Sequence, residues 1–177
     1  MSLSSTDLEA GLEYIKASPK DQGTVAMIVR RPGIGEREVL LEGELDTTVG
    51  LVGDNWGLRS RVSPDAQLNV MNARAIEVIE PDVARRPLAG DQLYLDLDFT
   101  DENLPAGTRL QIGDAGAVIE VTAEPHTGCA KFASRFGADA TRFVNTGEGK
   151  RLHLRGICAK VVSGGTIRVG DAVTKLL

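Results

Sequence analysis

Leu152-His-Leu-Arg-Gly-Ile-Cys-Ala-Lys-Val-Val-Ser-Gly-Gly-Thr-Ile-Arg-Val-Gly-Asp-Ala-Val173 reads as a strand, a glycine turn and a second strand, and Ser163-Gly-Gly is the strongest hairpin signal in the chain. The same grammar recurs upstream. Gly23-Thr-Val-Ala-Met-Ile-Val-Arg30 and Glu38-Val-Leu-Leu-Glu-Gly-Glu-Leu45 are apolar runs joined by a Pro/Gly turn, which predicts a hairpin. Leu93-Tyr-Leu-Asp-Leu-Asp-Phe99 alternates as a half-buried strand does, with Asp96 and Asp98 on its wet face. Arg109-Leu-Gln-Ile-Gly-Asp114, Ala117-Val-Ile-Glu-Val-Thr122 and Gln67-Leu-Asn-Val-Met71 add three more short strands. Many short strands with glycine turns and few helices predict a mostly β protein, closed or nearly closed into a barrel.

The helical signals are short. Leu8, Leu12 and Ile15 recur at helical spacing, with Ser5 or Thr6 to cap and Pro19 just beyond, so residues 1–22 are expected to form a peripheral helical appendage to a single barrel domain at 23–177. Asn72 to Ile79 reads as a helix closed by Pro81, and Gly50 to Arg61 as a glycine-rich surface loop carrying Trp56, a core anchor or lid contact. Gly137 to Lys150 reads as a flexible connection.

Composition narrows the function classes. A formal net charge of -5 over 177 residues argues against general nucleic-acid or anionic-membrane binding, both of which need a positive field. The charge is uneven, because Thr127 to Lys160 holds seven Lys and Arg against two acidic residues. That local excess suggests a small anionic ligand such as a phosphate-bearing cofactor, or else a solvated basic face. Two cysteines do not make a disulfide framework, and the Met1-Ser-Leu-Ser start has no basic and apolar leader, so a soluble cytoplasmic protein with reduced thiols is expected. No zinc-type cysteine or histidine spacing, phosphate loop, dinucleotide fingerprint or Gly-x-Ser-x-Gly elbow is present.

What remains is Ala123-Glu-Pro-His-Thr-Gly-Cys-Ala-Lys-Phe132, where a strand runs out and a short helix, stopped by Gly137, begins at Cys129. Orphan N–H groups at a helix start favour a thiolate, and Lys131, Arg135 and His126 could lower a thiol pKa from its usual value of about 8.5. His126 could equally cap its own loop, and Cys129 could be a small buried hydrophobe without chemistry. Arg151, His153 and Arg155 alternate along the expected strand, so they would share one face as an anion-binding row or as an ordinary exposed face. Asn103, in the polar turn Thr100 to Gly107, is a further candidate for ligand binding. Cys158, within an apolar run, reads as a buried core thiol.

The succession Leu110-Gln-Ile-Gly-Asp114, Val118-Ile-Glu-Val-Thr122, Pro125-His-Thr-Gly-Cys-Ala-Lys131 and Gly156-Ile-Cys-Ala-Lys-Val-Val-Ser-Gly-Gly-Thr-Ile-Arg-Val-Gly-Asp171 resembles the MOSC domain, named after the C-terminal domain of molybdenum cofactor sulfurases. The resemblance runs from about Leu93 to Val173, with an echo at Gly53-Asp54, where Asn55 stands in place of the histidine that commonly follows. It implies a β-barrel-like MOSC fold and makes Cys129 the functional cysteine, either a persulfide carrier or a molybdenum ligand. A molybdopterin-type cofactor would then be held by Lys131, Arg135, Arg151, His153, Arg155 and Asn103, with His126 assisting the thiolate. The family's fused pyridoxal-phosphate domain is missing, so no pyridoxal phosphate is expected, and the resemblance implies a cysteine desulfurase or other sulfur donor and molybdoenzyme or redox partners. Sulfurtransferase or reductase-component activity follows from it. The competing expectation is a non-catalytic binding or interaction module with an inert, buried Cys129.

Overall fold

The computed structural model describes residues 3–177. In chain order the elements are α1 (Ser5–Ala10), α2 (Leu12–Lys16), β1 (Gln22–Arg30), β2 (Glu38–Leu40), β3 (Glu42–Asp46), β4 (Gly50–Leu51), β5 (Leu68–Asn72), α3 (Ala73–Ile79), β6 (Leu93–Asp96), β7 (Arg109–Ile112), β8 (Ala117–Val121), α4 (Ala130–Phe136), α5 (Ala138–Asn145), α6 (Gly147–Arg151), β9 (Ile157–Ser163), β10 (Gly165–Arg168) and β11 (Ala172–Lys175). Strands run β11-β7-β8-β9-β5-β6-β1, and β11 pairs back onto β1, so seven strands close into the expected barrel. All neighbours are antiparallel except β5 and β6. A parallel pair needs a long crossover, and α3 with the 3-10 segment Val83–Ala89 supplies it.

Alternation along the strands builds two cores. Leu68 and Val70 of β5, Leu93 and Leu95 of β6, and Ile28 of β1 fill the barrel interior. Their neighbours Met71, Tyr94 and Val29 point the other way, into a second core capped by helices. Tyr94 is 0% exposed, so β6 is covered on both faces and is not the half-wet strand its alternation predicts. Leu8 and Ile15 enter the same outer core at 0% and 3% exposure, which packs the N-terminal helices against α3 and α5 as part of the fold.

Three local expectations change. The β1–β2 hairpin forms with Arg30 opposite Glu38, but the run from Glu38 to Leu45 breaks at Leu41, and β3 joins a small second sheet of order β10-β3-β4. Ser163-Gly-Gly is not a hairpin turn: β9 pairs with β5 and β8, whereas β10 crosses to β3. The glycines are needed because a β-carbon would meet Leu45 O at 2.7 Å from Gly164 and Ala115 O at 2.8 Å from Gly165, so backbones touch where the chain changes sheets. Finally, the stretch read as a flexible connection is α5 and α6, short helices whose Ala140 and Val144 are buried in the outer core. Their amphipathic stripe is brief and interrupted by Gly147 and Gly149, which hid it from periodicity. Among the described residues no helix is long and apolar enough to cross a membrane.

Candidate functional site

The loop that leaves β8 carries His126 to Gly128 across the outer core, and α5 fixes it there. Asn145 accepts from Gly128 N at 2.8 Å and donates to Gly128 O at 3.0 Å, clamping both backbone groups of the residue before Cys129. Cys129 is the N-cap of α4, and Phe132 and Phe136, four residues apart, anchor that helix with their rings 4.9 Å apart. The thiol itself is exposed, whereas Cys158 is buried. The backbone N–H of Phe132 lowers the Cys129 pKa most, with slight burial opposing and the Lys131 N–H and Arg155 charge assisting. Burial pushes the Cys158 thiol up to about 12, so the two thiols sit in opposite environments.

Cys129 opens onto a cleft of about 840 Å³. His126, Lys131, Arg135 and Arg155 line it as well, together with Arg31, Arg37, Arg59, Arg61 and Asn69, and no carboxylate is in its wall. Two carboxylates sit just behind. Asp91, fully buried, takes Arg155 Nη1 at 2.7 Å and His126 Nε2 at 2.6 Å, while Asn69 Nδ2 lies 3.2 Å from His126 Nδ1. Burial alone would raise the Asp91 pKa, but Arg155 and His126 beside it, the Arg155 charge first, hold it below the usual carboxylate value. Arg155 also donates to Ala89 O and lies 5.0 Å over the Phe132 ring, so one guanidinium ties the α4 anchor to the strand wall. With both ring nitrogens engaged, His126 holds the thiol loop in place.

The second carboxylate, Asp54, forms a bidentate pair with Arg31 at 2.9 and 2.7 Å and accepts from the backbone N–H of Arg31 and Trp56. The loop from Gly50 to Arg61 is thereby pinned against the β1–β2 turn, which gives the Gly53-Asp54 echo a structural basis.

Arg31 and Arg155 are thus neutralised, whereas Arg37, Arg59, Arg61, Lys131 and Arg135 have no carboxylate partner among the described residues. Elsewhere in the described chain the same is true only of Lys20 and Lys150. Unpaired positive charge is therefore concentrated in this one cleft of an acidic protein. Burial, then Arg135 and Arg31, hold the Arg37 guanidinium below its ordinary value. Arg37 Nε and Arg155 Nε are buried with no hydrogen-bond partner.

The structure brings together Cys129, His126, Lys131, Arg135 and Arg155 and places the other candidates elsewhere. The expected strand from Leu152 is instead a turn with His153 at φ 50°, and β9 begins at Ile157, so Arg151, His153 and Arg155 share no face. Arg151 pairs with Glu148 and His153 with Asp101, while Arg155 turns inward. Asn103 is buried, donating to Lys20 O and Asp98 O and accepting from Lys175, which makes it a brace between loops. Sequence reasoning missed Asp91, Asn69, Asp54, Arg31, Arg37, Arg59 and Arg61. The Gly-Asp steps at Gly53-Asp54 and Gly90-Asp91 recur at Gly113-Asp114 and Gly170-Asp171 outside the site, so no local signal singles out the two carboxylates; the arginines lie in loops far apart in the chain.

The model of the MOSC domain matches residues 58–174. Comparison with curated proteins gives no match. Among solved structures, the fold is similar to the YuaD protein of Bacillus subtilis at 16% identity and a TM-score of 0.60, covering 86% of this chain and 94% of that one. It is also similar to YiiM of Escherichia coli (19%, TM-score 0.57, 87% and 70% covered) and YiiM of Geobacillus stearothermophilus (14%, TM-score 0.58, 88% and 75% covered). At those identities the likeness speaks for the fold, and with the family match over most of the barrel the chain belongs to the MOSC domain family.

Proposed function

We propose that the cleft binds a phosphate-bearing, molybdopterin-type cofactor and that Cys129 is the thiolate it meets. The observation that carries this reading is the exposed, pKa-lowered Cys129 at the edge of a cleft with five unpaired cations and no carboxylate in its wall. The donor set fits the group: a thiolate is a soft ligand, guanidinium forks match phosphate oxygens, and the partnerless Nε atoms of Arg37 and Arg155 add buried, unmet donors beside the cleft. Lys131 and Arg135 would hold the phosphate, and Arg155, already committed to Asp91, would contribute field more than contact. A bound molybdenum centre supplies two-electron redox chemistry. The chain's own residues supply the rest: Asn145 and His126 fix the thiol loop, the α4 backbone N–H groups favour the thiolate form of Cys129, and Phe132 closes the floor.

A second reading is favoured by the exposure of Cys129. Its thiolate would attack the outer sulfur of a donor's persulfide, forming a new S–S bond on Cys129 and releasing the donor's thiolate, so that this protein carries sulfur between a cysteine desulfurase or similar donor and a molybdoenzyme or redox partner. An inert binding module requires an unreactive Cys129, which exposure and a lowered pKa oppose.

Native mass spectrometry with molybdenum analysis, on protein from a cofactor-producing host, tests the proposal. Molybdenum and a pterin mass in wild type and Cys158→Ser but absent from Cys129→Ser are expected. An adduct of about 32 Da on Cys129 without molybdenum selects sulfur carriage, and equal loading of Cys129→Ser and wild type would refute any role for this thiol.

A further inference from the structure

Two of the unpaired guanidiniums meet over a single glycine. Gly90 ends the 3-10 segment Val83–Ala89 in the left-handed region at φ 89°. A β-carbon there would lie 3.2 Å from Arg37 Nη2 and 3.6 Å from Arg135 Nη1, so the bare backbone leaves a cradle between them. Arg31 supports the cradle by donating to Gly90 O at 3.0 Å, with its own charge cancelled by Asp54. Arg37 and Arg135 have only neutral partners, Glu36 O and Leu88 O, and Arg37 Nε has none. Arg59 and Arg61 line the same cleft, also without a carboxylate.

Like charges gathered in this way repel unless a polyanion joins them. A single phosphate monoester brings at most about two negative charges at neutral pH, fewer than these four guanidiniums can match; a diphosphate brings more charge and more acceptor oxygens. Position adds a second constraint. Arg135 follows Cys129 by six residues on α4, roughly 9 Å at a rise of about 1.5 Å per residue. A group seated on the cradle is therefore not the group facing the thiol.

We propose that the cleft takes an elongated ligand with a diphosphate ester, of the nucleotide class, its diphosphate held by Arg37 and Arg135 over Gly90 and its other end directed toward Cys129. The inference rests on the cleft being the ligand site, as in the reading above, but requires neither molybdenum nor the thiol. Isothermal titration at low ionic strength with ADP, AMP and inorganic phosphate as probes tests it. ADP should bind at least about tenfold more tightly than AMP or phosphate, Arg37→Gln should weaken ADP about tenfold, and Lys150→Gln, which removes an unpaired cation outside the cleft, should leave it unchanged. Equal affinity for ADP and AMP, or an Arg37→Gln variant that binds ADP like wild type, overturns the proposal. Relief of repulsion also predicts that Arg37→Gln melts at or above the wild-type temperature in nucleotide-free buffer; a marked drop would make Arg37 a structural contact and overturn the cradle. Molybdenum or sulfur on Cys129 without an ADP preference sinks this inference alone, whereas an ADP preference without either adduct supports it and counts against the thiol's proposed role.

Discussion

Asp91→Ala removes the one charge that neutralises Arg155 and that also binds the His126 ring behind the cleft. Asp91 is 0% exposed and Arg155 6%, so the guanidinium would be left buried with no carboxylate in reach. Breaking a buried pair by deleting one partner costs roughly 3–5 kcal/mol. In a chain of this length each kcal/mol moves Tm by about 2–4 °C, which puts the expected loss at roughly 6–20 °C. Calorimetry at neutral pH measures it. A double variant, Asp91→Ala with Arg155→Met, should recover part of the loss, with a coupling of about 0.5–3 kcal/mol in a double-mutant cycle. The pH dependence has a definite sign. The Asp91 pKa is lowered by folding, so its contribution is fully present above the unfolded carboxylate value of 3.8 and is lost as pH falls through the lower folded value. Asp91→Ala should therefore flatten the acid limb of the stability profile. A loss below about 1 kcal/mol, or strict additivity in the cycle, would refute the view that Asp91 is the shared counterion of the site.

Two further outcomes are expected. Iodoacetamide should label one thiol per native chain, with a pH midpoint below that of an ordinary thiol, and none in Cys129→Ser; Cys158, with its pKa pushed up to about 12, should react only after denaturation. Two labelled thiols in the native protein would contradict the burial of Cys158. Leu8→Ala should cost about 2–5 kcal/mol by urea titration, because Leu8 is fully buried in the outer core; a loss of a few tenths would return the N-terminal helices to the status of an appendage.

Much of the barrel was legible because β-strands advertise themselves locally. The alternation at Leu93 to Phe99 and the β-branched runs at Gly23 to Arg30 and Ala117 to Thr122 need no partner to be read. The cysteine helix was equally legible, since Phe132 and Phe136 sit at helical spacing and Gly137 stops it. Partner choice was not legible. Ser163-Gly-Gly has hairpin chemistry, yet β10 pairs with β3 from more than a hundred residues earlier, because the tight backbone approach at Gly164 and Gly165 serves a change of sheet as well as it serves a turn. Nor was coverage: Tyr94 on the presumed wet face of β6 is buried by helices whose own sequence signal was too brief to register.

By itself, then, the sequence determined a barrel-forming strand set, a thiol at a helix start, a buried second cysteine and a basic excess near the first. Those properties depend on residue type and on neighbours within a turn or a strand. Which cations surround the thiol was decided only by the tertiary structure, because Arg37, Arg59 and Arg155 come from three distant loops and are sorted by two buried carboxylates, Asp54 and Asp91, whose burial is a consequence of barrel closure. Charge pairing across space has no local period, so the row of Arg151, His153 and Arg155 dissolved while the cradle at Gly90 formed from residues that no spacing connects.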